Sequence, residues 1–154
     1  MKRCLCCGKE IKKDNAVAGW HPACVKRFFG TGIMPALSIA EDSLKRIAIE
    51  STGKGMTVPG VQKKLSLHLS REDQPRLSLV NYPAGYVLKP QADSFEALPE
   101  NEYLVMRMAQ TVGIKTVPFA LIQTEDGIAY ITKRIDRENG RCLAMEDFCQ
   151  LDER

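Results

Sequence analysis

No stretch of this chain is apolar for long enough to cross a membrane, because the longest apolar runs are short and broken by charge. The N-terminus has basic residues but lacks the apolar core of a secretory signal, so the expected location is the cytoplasm. Net charge is also scarce, at a formal +3, which is too small by itself to argue for a nucleic-acid partner. Aromatic residues make up only 6%, which leaves few platforms for stacking bases. What is present is ordinary for a soluble globular protein, with 44% hydrophobic and 27% charged residues. A length of 154 residues is enough for one core, or for a small module plus a modest domain.

The six cysteines stand out against this background. In a cytoplasmic chain metal binding is a better account of them than disulfides. Cys4 and Cys7 form a C-x-x-C pair that suits a tight knuckle, and His21 and Cys24 form an H-x-x-C pair at the start of a helix. Pro22 fits an early helical position there, and Val25, Phe28 and Phe29 give that helix an apolar stripe. The two pairs match a tetrahedral structural zinc site of the Cys₃His kind, made by Cys4, Cys7, His21 and Cys24. Cys6 can replace Cys4 or Cys7 in a shifted register, but only Cys4 and Cys7 have the two-residue gap. A segment of this size buries too little apolar surface to fold alone, so the metal supplies the missing folding energy. Lys2, Arg3, Lys9, Lys12, Lys13, Lys26 and Arg27 crowd the same region.

Residues 31–37, with Gly32 and Pro35, read as a linker, and Ser38 with Glu41 has the spacing of a capping box for a helix running to about Glu50. The stretch Met56–Leu69 starts as a Pro59-Gly60 turn and becomes a strand in which Leu65, Leu67 and Leu69 alternate with Ser66 and His68. Small residues, free amides and the adjacent Lys63 and Lys64 make that loop a candidate phosphate holder, although a Pro-Gly turn before a strand is more often an ordinary hairpin entry. Leu77–Val80 reads as the returning strand and Tyr86–Pro90 as a short strand carrying Lys89 at its end. Glu96–Val112 reads as a helix with Pro99 in its first turn and Val105, Met106, Met108, Ala109 and Val112 as a buried stripe. Val117–Gln123 and Ile128–Lys133 read as a hairpin around Glu125-Asp126-Gly127. Arg134–Arg137 is a charged exit, and a further helix starts near Ala144.

The order is loop, three strands, a lysine, a helix with an early glutamate, two strands and a charged connector. This is the plan of the small lobe of a protein kinase, in which the loop covers the phosphates, the strand lysine neutralises them and the helix glutamate holds the lysine. The expected fold class is therefore α+β, a kinase-like small lobe of an antiparallel sheet and one packed helix, preceded by a zinc-knuckle module. The expected division is 1–30 for the knuckle, 31–55 for linker and helix, 56–137 for the lobe and 138–154 for the start of a large lobe.

The segments TVPGVQKKLSL, YVLKP, ENEYLVMRMAQTVGI, ITKRIDR and MEDFCQ, in that order, resemble the core of the HipA family. These are serine/threonine kinases acting as toxins of bacterial toxin–antitoxin modules, and the zinc-type N-terminus resembles their short, HipT-like members. The resemblance implies ATP phosphates held by Pro59, Gly60, Val61, Gln62, Lys63 and Lys64, with Lys89 as the ATP-contacting lysine and Glu102 as its partner in preference to Glu100. It implies adenine held by the backbone of Lys133, Arg134 and Ile135. It also implies that Lys89 and the amides around Gly60 converge on one anion. The family phosphorylates itself on a serine just before the loop glycine; Thr57 stands there and still accepts phosphate, whereas Pro59 has no N–H to donate. The cofactors implied are ATP with Mg²⁺, besides structural Zn²⁺. The partners implied are a protein substrate, by family precedent an aminoacyl-tRNA synthetase, a DNA-binding antitoxin, and a separately encoded N-terminal subdomain.

The departure from the family is an absence. No H-R-D-like or D-F-G-like element occurs, so the catalytic aspartate and the magnesium ligands are expected beyond residue 154. The chain then reads as the amino-terminal portion of a kinase, unable to turn over ATP at a kinase-like rate. Two competing readings are a non-enzymatic zinc module that binds nucleic acid through its basic N-terminus and a regulatory fragment that occupies a partner surface.

Overall fold

A computed structural model describes residues 2–12, 16–38, 64–92, 95–138, 141–143 and 152. The elements in order are α1 (Pro22–Phe29), β1 (Ala36–Ser38), β2 (Leu65–Ser70), β3 (Arg76–Val80), β4 (Tyr86–Lys89), α2 (Leu98–Thr111), β5 (Phe119–Thr124) and β6 (Gly127–Lys133). A two-stranded ribbon of β7 (Arg137–Glu138) and β8 (Arg141–Cys142) follows. The fold is mixed α+β. Ser38, expected to cap a helix running to about Glu50, is instead the last residue of β1, while residues 39–50 of that helix, the loop from Met56 through Lys63 and residues 144–151 of the helix expected from Ala144 lie outside the described residues.

Six strands form one sheet in the order β1-β3-β2-β4-β6-β5. All neighbours are antiparallel except β1, which runs parallel to β3. The alternation along the sequence decides which side chains share a face. Leu65 lies opposite Leu88, Leu67 opposite Tyr86, and Leu88 opposite Ile131, so these residues line one surface. That surface closes over Trp20, Val25, Phe28 and Phe29 into the main core. Phe119, Leu121 and Tyr130 face the other way and meet Tyr103 and Met106 of α2. β5 is buried at Phe119, Ala120, Leu121 and Ile122 in succession because both of its faces are covered.

The N-terminal segment therefore packs against the sheet. Trp20 stacks on Phe29 at 5.5 Å between ring centroids, and Phe28 and Phe29 lie 5.9 and 5.6 Å from the ring of Tyr86. The Tyr86 hydroxyl donates to the carbonyl of Phe28 at 3.4 Å. The outer edge of β5 is covered as well, since the Leu121 amide donates to the carbonyl of Leu5 at 2.8 Å. An edge strand finished in this way is closed to pairing with another chain at that position.

Two expectations change. Ala36 and Leu37, read as linker, belong to a strand that ends at Ser38, and three residues are too few for a period-2 pattern to register. The apolar stripe of α2 divides: Met106 and Ala109 are half-buried, but Val105, Met108 and Val112 are 62, 60 and 73% exposed. Apolar residues occupy more than one side of this helix, and the sheet covers only the side bearing Tyr103 and Met106. Pro99 is its sole fully buried residue.

Candidate functional site

The first site is built at the N-terminus. The Cys4 amide donates to the Lys9 carbonyl and the Gly8 amide to the Cys4 carbonyl, both at 2.8 Å, which folds residues 4–9 into a tight knuckle. Gly8 has φ +69°, a left-handed conformation that glycine adopts without a Cβ clash. His21 caps α1, and the Cys24 amide donates to its carbonyl at 2.9 Å, so one helical turn sets this second pair. The ligand atoms of Cys4, Cys7, His21 and Cys24 all lie within 4.8 Å of one another. Nδ1 of His21 is 3.4 Å from Cys7 Sγ and 3.9 Å from Cys24 Sγ. Tetrahedral zinc with bonds of about 2.3 Å to sulfur and 2.0 Å to nitrogen has an S···N edge of roughly 3.5 Å, inside that range. Nε2 of His21 lies 3.1 Å from the Glu10 carbonyl, which orients the ring and favours Nδ1 as the ligand atom.

The electrostatics agree. Burial and the neighbouring cysteines push the Cys24 thiol up. For Cys4 burial also acts upward, but hydrogen bonds from the Cys7, His21 and Cys6 backbone outweigh it and bring the thiol down to about 7. Three sulfurs this close ionise together only with a cation between them, so the donor set fits a metal ion such as structural zinc. Cys6 is not in the group. Its side chain is buried, and its carbonyl accepts from the Tyr103 hydroxyl at 3.2 Å.

The second site lies on the α2 face of the sheet. Lys89 ends β4 and Glu102 stands in the second turn of α2, and Lys89 Nζ pairs with Glu102 Oε1. Tyr130 of β6 lies directly opposite Lys89, with the ammonium 5.4 Å from the centre of its ring. Burial, helped by the negative charge of Glu102, pushes the Tyr130 phenol up, so it stays neutral beside the pair. Val87, two residues before Lys89 and on the same face, lies opposite Thr132.

Of the remaining loop and connector residues expected in this site, Lys64 is exposed just before β2, while Thr57, Pro59, Gly60, Val61, Gln62 and Lys63 lie outside the described residues. Lys133 is three residues along β6 from Tyr130, roughly 10 Å away, and the odd spacing turns its side chain to the opposite face. The Lys133 amide donates to Pro118 and that of Arg134 to Gly85, both at 2.9 Å. Arg134 grips Asp136 with Nε on Oδ1 at 2.7 Å and its second nitrogen on Oδ2, which stiffens the connector, and Ile135 beside them is exposed. Sequence reasoning did not find Tyr130, Tyr103 or the Arg134–Asp136 pair. Tyr130 and Tyr103 owe their roles to contacts with distant segments, which leave no local pattern. The bidentate pair had only the i, i+2 spacing of opposite charges as a signal.

With this geometry in view, comparison with known proteins is informative. The profile of the HipA-like C-terminal domain family matches residues 56–154, more than half of the chain. The chain belongs to the HipA-like family. It is also 27% identical over 148 residues to a Haemophilus influenzae protein described as "Putative kinase". That alignment takes in 90% of this chain, and so part of the HipA-like chain before residue 56, but only 41% of the relative. Among the described residues no helix is long and apolar enough to cross a membrane.

Proposed function

We propose that this chain forms the nucleotide-binding small lobe of a HipA-type protein serine/threonine kinase, stapled by zinc. The observation that carries this reading is the Lys89–Glu102 ion pair between a strand end and the packed helix. A lysine held in this way keeps its ammonium at a fixed point, where it can neutralise the phosphates of a bound nucleotide. The sheet order β3-β2-β4-β6-β5 supports the reading, because it sets the lysine strand between the strand that follows the loop and the strand that leads to the connector. Val87 would offer the purine an apolar surface. With the Lys133 and Arg134 amides already donating elsewhere, the Ile135 backbone is the part of the connector best able to meet its edge. Zn²⁺ on Cys4, Cys7, His21 and Cys24 would supply folding energy with no open position for chemistry.

We assign the phosphoryl-transfer step, its Mg²⁺, its protein substrate (by family precedent an aminoacyl-tRNA synthetase) and a DNA-binding antitoxin that neutralises the kinase to the complete kinase. This chain spans less than half of its relative. The nucleic-acid reading loses its platforms, since Phe28 and Phe29 are buried in the core.

Calorimetric titration with ATP tests the proposal. Lys89→Ala is expected to weaken binding by at least about tenfold, the scale of one charge-assisted contact, and Glu102→Gln by less. Equal affinity in wild type and Lys89→Ala, with both folded, would sink it.

A further inference from the structure

Apart from the Lys89–Glu102 ion pair, helix α2 is held to the sheet by few buried side chains. Pro99 is its one buried residue, and only Tyr103 and Met106 join the cluster formed with Phe119, Leu121 and Tyr130. Tyr103 does more than pack. Its ring meets Phe119 edge-on at 5.5 Å, and its hydroxyl donates to the carbonyl of Cys6 at 3.2 Å. Cys6 lies between Cys4 and Cys7, and Leu5, the other residue between them, fastens β5 through its own carbonyl. The knuckle is shaped for the contact, since a Cβ at Gly8 would stand 3.3 Å from the Tyr103 hydroxyl.

Tyr103 is the neighbour of Glu102 on the helix, so the two side chains project about 100° apart. Anchoring one of them fixes the rotation of the helix and hence the direction of the other. We propose that Tyr103 is a positioning residue that couples metal occupancy of the Cys4–Cys7 knuckle to the aim of Glu102 at Lys89. With both thiolates bound to one ion, the intervening carbonyls are held in place. Without the ion the knuckle loosens, Tyr103 loses its acceptor, and α2 is free to turn. The consequence for ATP rests on the nucleotide reading above; the coupling of metal to helix does not.

Amide hydrogen exchange on the full chain tests this, read over Asn101–Thr111 and over β2–β4, with zinc bound and after chelation. Tyr103→Phe keeps the ring and removes only the hydroxyl. In the zinc-loaded chain it is expected to speed exchange across α2 about fivefold, the scale of one hydrogen bond, leaving zinc content and β2–β4 exchange unchanged. Chelation should speed α2 in wild type and in Met106→Ala, which loosens the other anchor, but add nothing in Tyr103→Phe. Unchanged α2 exchange in zinc-loaded Tyr103→Phe overturns the proposal, as does an equal response to chelation in Tyr103→Phe and wild type. If chelation unfolds the whole chain, the zinc-loaded comparison decides alone. Wild-type chain that fails to bind ATP yet shows the α2 response would refute the nucleotide reading and keep the coupling.

Discussion

At the scale of single residues, this protein sets charge against burial in two places. Cys24 is the sharper case, because its thiol is pushed up by burial and by its neighbours, and a metal is what makes the thiolate tolerable. Metal content is predicted to be near one zinc per chain by atomic absorption, with Cys24→Ser losing it and acid releasing it as protons compete for the sulfurs. A chain that stays metal-free when purified, with its N-terminal segment folded, would contradict this. Tyr86 and Tyr130, together with Tyr103, contribute to the alkaline limit. Burial raises all three phenols, so the unfolded chain loses these protons first, at about 10. Above that pH the folded chain binds more protons than the unfolded one, and stability falls as pH rises. Urea midpoints from about pH 9 to 11 are predicted to decline, and more gently in Tyr86→Phe with Tyr130→Phe.

At the scale of elements, the strands were legible because alternation is a local property. Leu65, Leu67 and Leu69 announced β2, and the Glu125-Asp126-Gly127 turn announced the hairpin of β5 and β6. Pro22 marked the start of α1, and Gly30, at φ 76° with its amide on the Lys26 carbonyl, ends it. Helix α2 was legible as a helix but not as to which side it buries, since its apolar residues lie on more sides than one sheet can cover. Energetics at this scale turn on the face shared by β2 and β4. Leu67→Ala removes a fully buried side chain from beside Tyr86, with an expected cost of about 2–5 kcal/mol by chemical denaturation. The exposed Val105→Ala should change stability by less than about 0.5 kcal/mol.

At the scale of the whole molecule, the N-terminal module and the sheet share one core. Trp20, Phe28 and Phe29 pack with Tyr86, and the knuckle closes the β5 edge. Removing the metal is therefore expected to lower the melting temperature of the entire chain, with circular dichroism of the sheet and fluorescence of Trp20 changing together. A separate early loss of Trp20 signal with an unchanged sheet would show two independent units.

The residue order alone determined the grouping of Cys4, Cys7, His21 and Cys24, the strands β2 to β6 and the pairing of Lys89 with Glu102, because each is written in a short-range spacing or in a family motif. Only the tertiary structure decided that Cys6 is left out of the ligand group, that Tyr130 lies under the Lys89 ammonium, and that the knuckle grips α2 through Tyr103. Those outcomes depend on cross-strand register and on contacts between segments as far apart as Cys6 and Tyr103, which the chain specifies only through the joint packing of all its elements.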